Sequence, residues 1–384
     1  MGALANQSSA KSLRRRRARA SFLVCGLFLF GFCSSRPIAQ AAGLPANTVL
    51  PPPPTPRPAV RPTPRPPAAA NAISPTSPPI SAAAAEVERL ARINAAKSWG
   101  YQLEGIKLEE LQRSPYDLLV VDATTGLSSG RPFNASEVSA LKKKPDGTPR
   151  TIVSYLSVGE AEDYRPEYFS PEYMEEDAPD WLMHENKDWK GNRIIKFCSD
   201  GWQKTILGDE NGKSVYNSIE SSPLYRLIDL GFDGVYLDRV DVYEEVSKQC
   251  PNAKQRMIDF VVKLAAHARR RNPHFMVILQ NAEDLLQHPR MVKALDAVAK
   301  ESLFHGWGGG DGSNSRAINA AKDISWSTER LDIARKSGRP VFVVDYCADR
   351  PRADLSVKRI RERGYIPYIA KKSLNTLYLP GQDF

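Results

Sequence analysis

Residues 86–384 predict an α/β fold, a single-domain (β/α)8 TIM barrel, and three observations carry that reading. From Ala96 onward short apolar runs alternate with longer amphipathic segments, the rhythm of parallel βαβ units. Eight such runs over roughly 280 residues match the size of one barrel. A carboxylate or an amide directly follows most of the runs, at the strand ends where a barrel opens its active-site face.

The segments before the barrel come first. Residues 1–41 read as a signal peptide: KSLRRRRAR at 11–19 is a positive n-region, and Phe22 to Phe32 is an uncharged apolar stretch of 11 residues. That length suits an h-region, whereas a membrane span needs about 20 residues. Ala39-Gln40-Ala41 puts small residues at the usual cleavage positions, so cleavage is expected after Ala41 and export to the periplasm or the extracellular space follows. An uncleaved N-terminal anchor is the alternative. Residues 42–85 form a Pro-rich linker, with 14 of the 30 prolines between 42 and 80. Proline fixes φ and removes donors, which predicts an extended spacer. A PxxP recognition role is the competing use. Ala82 to Arg92 reads as the opening of a helix, and the folded domain is set from residue 86.

Strands are then expected at Tyr116–Val121, Thr151–Leu156, Gly234–Leu237, Phe275–Leu279, Ala297–Ala299 and Pro340–Val344. Ser98–Leu103 and Arg193–Phe197 have weaker strand patterns. Ser222–Leu230, Lys254–Arg271 and Ile324–Lys336 have helical ones. A ninth strand-like run, Gly364–Ile369, closes the barrel if one weaker run lies outside it. A doubly wound open sheet is the competing architecture, but no GxGxxG or GxxxxGK[ST] follows an early strand.

The formal net charge of +9 suggests nucleic acid until its distribution is examined. Ten basic residues and no acid lie in the first 85 residues, so 43 Lys/Arg face all 44 Asp/Glu in the rest. The globular part is neutral, and no nucleic-acid partner is expected. A hydrophobic content of 42% with 25% charged residues excludes wholesale disorder and a multi-span membrane protein. Membrane contact is expected only through the signal peptide during export, and the chain is read as a monomer. Outside the signal segment Cys198, Cys250 and Cys347 remain, an odd number for an oxidising compartment. One disulfide with one buried thiol, or three buried thiols, both fit. No CxxC, HExxH or Ser-His-Asp arrangement stands out, so no metal and no cofactor are expected.

The strand ends carry the chemistry. Asp122 follows LLVV, Glu160 follows SYLSVG, and Asp238 follows GVYL. Gln280-Asn281 follows MVIL, Glu301 follows AVAK, and Asp345 follows VFVV. One such acid alone is usually a helix cap or a turn residue; five in register on separate strands point to one mouth. Paired carboxylates without histidines or phosphate loops fit glycoside hydrolysis, with a divalent-cation site as the competing use. Trp181, Trp189, Trp202, Tyr155, Tyr164, Trp307 and Tyr346 fall in or beside the strand-end loops. Aromatic faces suit sugar rings, although ordinary core packing claims part of the set. GWGGGDG at 306–312 reads as a flap over a cleft or as a long turn.

The motifs SWGYQL (98–103), SYLSVGEAEDYR (154–165), DWKGN (188–192), GFDGVYLDRVDVYE (231–244), ILQNAEDLL (278–286), ESLFHG (301–306) and VVDYCADR (343–350) occur in order. Together they resemble glycoside hydrolase family 114, the endo-α-1,4-polygalactosaminidase-like barrel proteins, from about Ser98 to Leu379. One departure is visible: Lys196-Phe197-Cys198-Ser199-Asp200 replaces an aromatic-rich stretch before Trp202-Gln203. The resemblance implies an exported, endo-acting hydrolase of a galactosamine-containing polysaccharide, α-1,4-linked, with a two-carboxylate mechanism. It implies Asp238 and Glu301 as the catalytic residues. Glu301 is read as the acid and Asp238 as the nucleophile or charge stabiliser, with the roles open to exchange. Substrate contacts are expected from Asp122, Tyr155, Glu160, Asn281, Asp345 and Tyr346. Among these, Asp122, Glu160 and Asp345 would lend the mouth a negative field toward a cationic polymer. Arg165 and Arg239 are expected to orient carboxylates. A non-catalytic polysaccharide-binding or assembly protein, and a metal-dependent hydrolase, are the competing readings.

Overall fold

The structure, a computed structural model, describes residues 81–126, 130–165, 178–214, 221–306 and 318–381. The expected signal peptide, the Pro-rich linker up to residue 80, Trp307 and most of the 306–312 segment lie outside the described residues. The described residues run through eleven strands. They are β1 (Trp99–Gln102), β2 (Leu118–Val121), β3 (Thr151–Ser157), β4 (Glu160–Glu162), β5 (Leu182–Glu185), β6 (Asn192–Ile195), β7 (Gly234–Asp238), β8 (Met276–Gln280), β9 (Ala297–Glu301), β10 (Val341–Tyr346) and β11 (Ile366–Ala370).

Eight of them form one sheet in the order β1-β2-β3-β7-β8-β9-β10-β11, and every neighbouring pair is parallel. Its two ends curl toward each other, and the Trp99 indole N–H of β1 donates to the Ile366 carbonyl of β11 at 3.1 Å. This is the (β/α)8 barrel. Its strands read as near-continuous apolar runs because parallel strands bury both faces; every residue of β1, β2 and β3 is buried. Helices such as Ala253–Arg271, Ala321–Lys336 and Arg350–Glu362 follow the strands. Aromatic rings fill the interior, with Trp99, Tyr101 and Tyr236 stacked in sequence and Phe342 and Tyr368 set against Trp99.

Arg193–Phe197 is not a barrel strand. Its core is β6, which pairs antiparallel with β4 and β5 in a separate three-stranded sheet, and β11 takes the eighth barrel place. The connection from β5 to β6, residues 186–191, has the length of a hairpin and contains Gly191 at φ 88°. Parallel pairing needs a longer crossover than that. The extra sheet leaves the barrel at the end of β3 and carries Asn186 and Asn192 onto the mouth. The corner at Gly159 is glycine because a Cβ there would meet the Arg239 carbonyl oxygen at 2.1 Å.

The opposite end of the barrel also has acids at strand starts, and ion pairs and backbone amides occupy them. Asp296 accepts from Arg89 at 2.9 Å, Arg269 at 2.7 Å and the Val277 N–H at 2.8 Å. Asp233 accepts from the Ile152 N–H at 2.9 Å and pairs with Arg92 and Lys142. These acids bind helices to the barrel floor.

Cys198 and Cys250 form a disulfide with Cα atoms 5.9 Å apart, and Cys347 is a buried free thiol whose pKa burial pushes up to about 12. The bridge pins the segment after β6 to the loop that precedes the Ala253–Arg271 helix. Trp181 and Trp202 pack on each other in the core, with ring centroids 4.9 Å apart, so neither serves the mouth. The bridge closes a loop of 52 residues, for which chain entropy gives up to ~4 kcal/mol of stabilisation. A Cys198→Ala/Cys250→Ala protein should therefore melt lower than the wild type, and dithiothreitol should lower the wild-type Tm alone. An unchanged Tm in the double variant would contradict a bracing role.

Candidate active site

Two carboxylates end the strands that flank β8 on either side. Asp238 is the last residue of β7. Its Oδ2 accepts from the Tyr155 hydroxyl at 2.8 Å and its Oδ1 from the Arg239 N–H at 2.7 Å. Glu301 is the last residue of β9, and its Oε1 accepts from the hydroxyl of Tyr346, the last residue of β10. Its Oε2 accepts from Asn281 Nδ2 at 3.3 Å. Directly after β7, β8 and β9 the backbone enters the left-handed region, at Arg239 (φ 57°), Asn281 (φ 54°) and Ser302 (φ 53°). Non-glycine residues rarely sit there, and such outliers cluster where a site over-determines the chain.

The two acids face one cavity of about 200 Å³. Its walls include Tyr101, Tyr155 and Tyr346 from the barrel, Glu160, Glu162 and Tyr164 from β4 and its turn, and Asn186, Trp189 and Asn192 from the extra sheet. Arg239, Asp241, Asn281 and, near the C-terminus, Lys372 and Leu374 complete it. Both catalytic candidates are half-buried on the cavity floor, and the partial loss of water disfavours their charged forms. Burial first, and then the charge of Glu301, pushes Asp238 up to about 8. Burial also raises Glu301, against the Tyr346 and Asn281 hydrogen bonds that hold it down. Two carboxyls that face one cavity and oppose each other's ionisation titrate as a pair. Tyr346 is held far above its usual range by burial and by Glu301, so it stays a neutral donor.

Four of the expected contact residues reach this cavity: Tyr155, Glu160, Asn281 and Tyr346. Glu160, however, is already committed. Asn186 Nδ2 reaches its Oε1 at 2.7 Å, Asn192 Nδ2 its Oε2 at 2.8 Å, and Arg239 Nε lies 2.7 Å from Oε1. It ties the extra sheet to the turn after Asp238. Asp122 and Asp345 do not line the cavity, which corrects the expectation for both. Asp122 is fully buried beneath Arg165, and its Oδ1 accepts from the N–H and the hydroxyl of Thr124, each at 2.9 Å. Arg165 also pairs with Glu162. Asp345 accepts from Ser356 at 2.7 Å and from the Phe304 N–H at 3.1 Å, and burial raises it to about 6. The reason is strand alternation: Tyr346 turns inward to Glu301, so its neighbour Asp345 turns outward to the Arg350–Glu362 helix.

Sequence reasoning left out several residues of the cavity. Glu162 was legible, since EAE alternates and places Glu160 and Glu162 on one side. Asn186 and Asn192 flank the hairpin turn, and Lys372 and Leu374 follow β11; no periodicity marks loop residues of this kind. Trp189 is 51% exposed at the rim, with the Lys372 ammonium 5.4 Å from its ring. Among the described residues no three His, Cys, Asp or Glu side chains gather as a metal site.

Comparison with known proteins adds to this geometry. The model of glycoside-hydrolase family GH114 matches residues 80–382. An uncharacterised protein of Deinococcus radiodurans is 31% identical over 365 residues, covering 93% of this chain and 98% of that protein. An uncharacterised protein of Methanocaldococcus jannaschii is 31% identical over 300 residues, covering 73% of this chain and 79% of its own. Among solved structures, the glycoside hydrolase domain of PelA from Pseudomonas aeruginosa aligns with a TM-score of 0.55 at 20% identity, over 73% of this chain and 97% of that one. At that identity the likeness speaks for the fold.

The raised Asp238 has a stability consequence. Its pKa rises from 3.8 to about 8 on folding, so the folded state binds more protons in that interval and stability falls as pH climbs through it. Asn at this position cannot ionise. The Tm of Asp238→Asn minus that of the wild type should grow between about pH 4 and pH 8 and then level off. A difference that is flat, or that shrinks with pH, would contradict a buried carboxyl.

Proposed function

The chain belongs to glycoside hydrolase family GH114, and from that membership we propose an exported, endo-acting hydrolase of an amino-sugar polysaccharide, with Asp238 and Glu301 as its catalytic pair. The observation that carries the proposal is the pair itself: two half-buried carboxyls at strand ends, facing one cavity, each pushed above its ordinary value. Glycoside hydrolysis needs a protonated acid for the leaving oxygen and an ionised partner for the developing oxocarbenium charge. Tyr155 and Tyr346 hold one carboxyl each at a fixed angle, which keeps the geometry through the reaction. Five acids line the cavity against Arg239 and Lys372. A negative field of that kind attracts the ammonium groups of a galactosamine-type chain, and Trp189 offers an exposed ring face at the rim.

Within the pair, Glu301 is read as the acid and Asp238 as the nucleophile or charge stabiliser, with the roles open to exchange. The resting cavity raises both carboxyls, Asp238 to about 8, so either can carry the proton. Azide rescue separates the two assignments for a retaining course. A variant that lacks the nucleophile yields a glycosyl azide of inverted configuration, and a variant that lacks the acid yields one of retained configuration. The export proposal is supported by the Cys198–Cys250 disulfide, which suits an oxidising compartment. N-terminal sequencing of the mature protein is expected to begin at Ala42.

The purified protein should release reducing ends from a deacetylated α-1,4-galactosamine polymer, and Asp238→Asn and Glu301→Gln should each lower kcat by roughly 100- to 10,000-fold. Raising the pH removes the pair's proton, so kcat/KM should fall above about pH 8. Added salt should raise KM by screening the cavity's field. Polymer binding without reducing-end release at any pH would overturn the enzyme reading in favour of a binding protein. Release that a chelator abolishes would favour a metal-dependent hydrolase.

A further inference from the structure

Glu301 is held by an amide whose orientation is imposed from outside the cavity. The Asn281 N–H donates to the Ala299 carbonyl at 2.9 Å, and the left-handed backbone at Asn281 and Ala282 turns the amide toward β9. Asn281 Oδ1 accepts from the Glu301 N–H at 3.1 Å and from Lys300 Nζ at 3.3 Å, while Nδ2 faces Glu301 Oε2. Both groups that face Oδ1 are donors only. A flipped amide would set its NH2 against an ammonium and an N–H and would turn its oxygen to a carboxylate.

Lys300 precedes Glu301 on β9, so alternation sends its side chain to the outer side of the strand. It does not line the cavity. Its ammonium lies 3.0 Å from Glu283 Oε1, with the two side chains 18% and 4% exposed. The same Oε1 accepts from Ser327 of the Ala321–Lys336 helix at 2.7 Å. A continuous polar chain thus runs from that helix through Glu283, Lys300 and Asn281 to Glu301. A surface ion pair contributes little, but a buried pair that fixes an amide acts on whatever the amide holds.

We propose that Lys300, with Glu283 as its counter-ion, is a positioning residue for the hydrolysis assigned above: it locks the Asn281 amide toward Glu301. This rests on the glycosidase reading for its effect on rate, but not for its effect on Glu301. Other groups face Glu301 too: Asp238 from β7, Tyr346 from β10, and the Tyr101 and Tyr236 phenols from the barrel floor. The Lys300 charge also reaches Asp241, beside Arg239. Lys300 lowers Glu301 against burial, and Glu283 partly neutralises Lys300.

Two variants therefore shift Glu301 in opposite directions. Lys300→Met removes the cation and should raise the Glu301 titration by about one pH unit. It should also lower kcat by roughly tenfold, with KM changed less than about twofold, because a mis-set amide costs the reaction more than binding. Glu283→Gln leaves Lys300 less neutralised and should lower the titration. The readouts are the pH profile of kcat and, independently, the carboxyl carbon resonance of Glu301 in glutamate-labelled protein. Opposite shifts support the proposal, since a merely structural defect gives shifts of one sign or a loss of folded protein. A wild-type titration in both variants overturns it. If Lys300→Met does not fold, Glu283→Gln decides alone: a lowered titration supports the proposal and an unmoved one ends it. Should the wild type hydrolyse nothing, the glycosidase reading fails and the resonance titration still judges the Lys300 assignment.

Discussion

The fold accepts a cost that most of its architecture is arranged to contain: two half-buried carboxyls facing one cavity at the mouth of a barrel. An unpaired charge in such a place is expensive, and here fixed donors relieve it. The Tyr155 hydroxyl and the Arg239 N–H take Asp238, while the Tyr346 hydroxyl and the Asn281 amide take Glu301. Each donor sits on a barrel strand or on the first residues after one, so the register of the parallel sheet sets the angle at which each carboxyl is held. The rings of Trp99, Tyr101 and Tyr236 pack together beneath, and partial burial raises both acids.

The surrounding acids divide by the face on which they stand. Asp296 and Asp233 at the barrel floor fasten helices. Asp122 and Asp345 at the mouth end face away from the cavity and fasten loops, the latter by gripping Ser356 and the turn that follows Glu301. Glu160 lines the cavity yet spends its oxygens on the extra sheet and on Arg239. The position of an acid at a strand end therefore does not by itself make it a substrate contact; the direction of its side chain decides.

This explains how far the sequence could be read. Parallel strands buried on both faces stand out as apolar runs, so the barrel and the residues that end its strands were legible, and the family motifs singled out Asp238 and Glu301. β6 has only two buried residues and an apolar look that cannot separate a barrel strand from a hairpin arm. The hairpin-length segment ending at Gly191 was the missed signal. Asp345 and Tyr346 are adjacent, and a one-residue difference in register would exchange their faces; composition carries no register. The pairing of Cys198 with Cys250 depends on the segment after β6 meeting the loop before the Ala253–Arg271 helix, which no spacing of 52 residues announces. Asn186, Asn192 and Lys372 arrive at the cavity on loops, where neither period applies.

The central claim is that Asp238 and Glu301 together keep one proton at neutral pH. Infrared difference titration reads it directly, comparing the wild type with an Asp238→Asn/Glu301→Gln double variant that leaves Glu162 and Asp345 in both. The account predicts one protonated-carboxyl band in the wild type near neutrality that the double variant lacks and that fades as the pH rises past about 8. No difference between the two proteins in that band at neutral pH, meaning both carboxyls ionised, would contradict it.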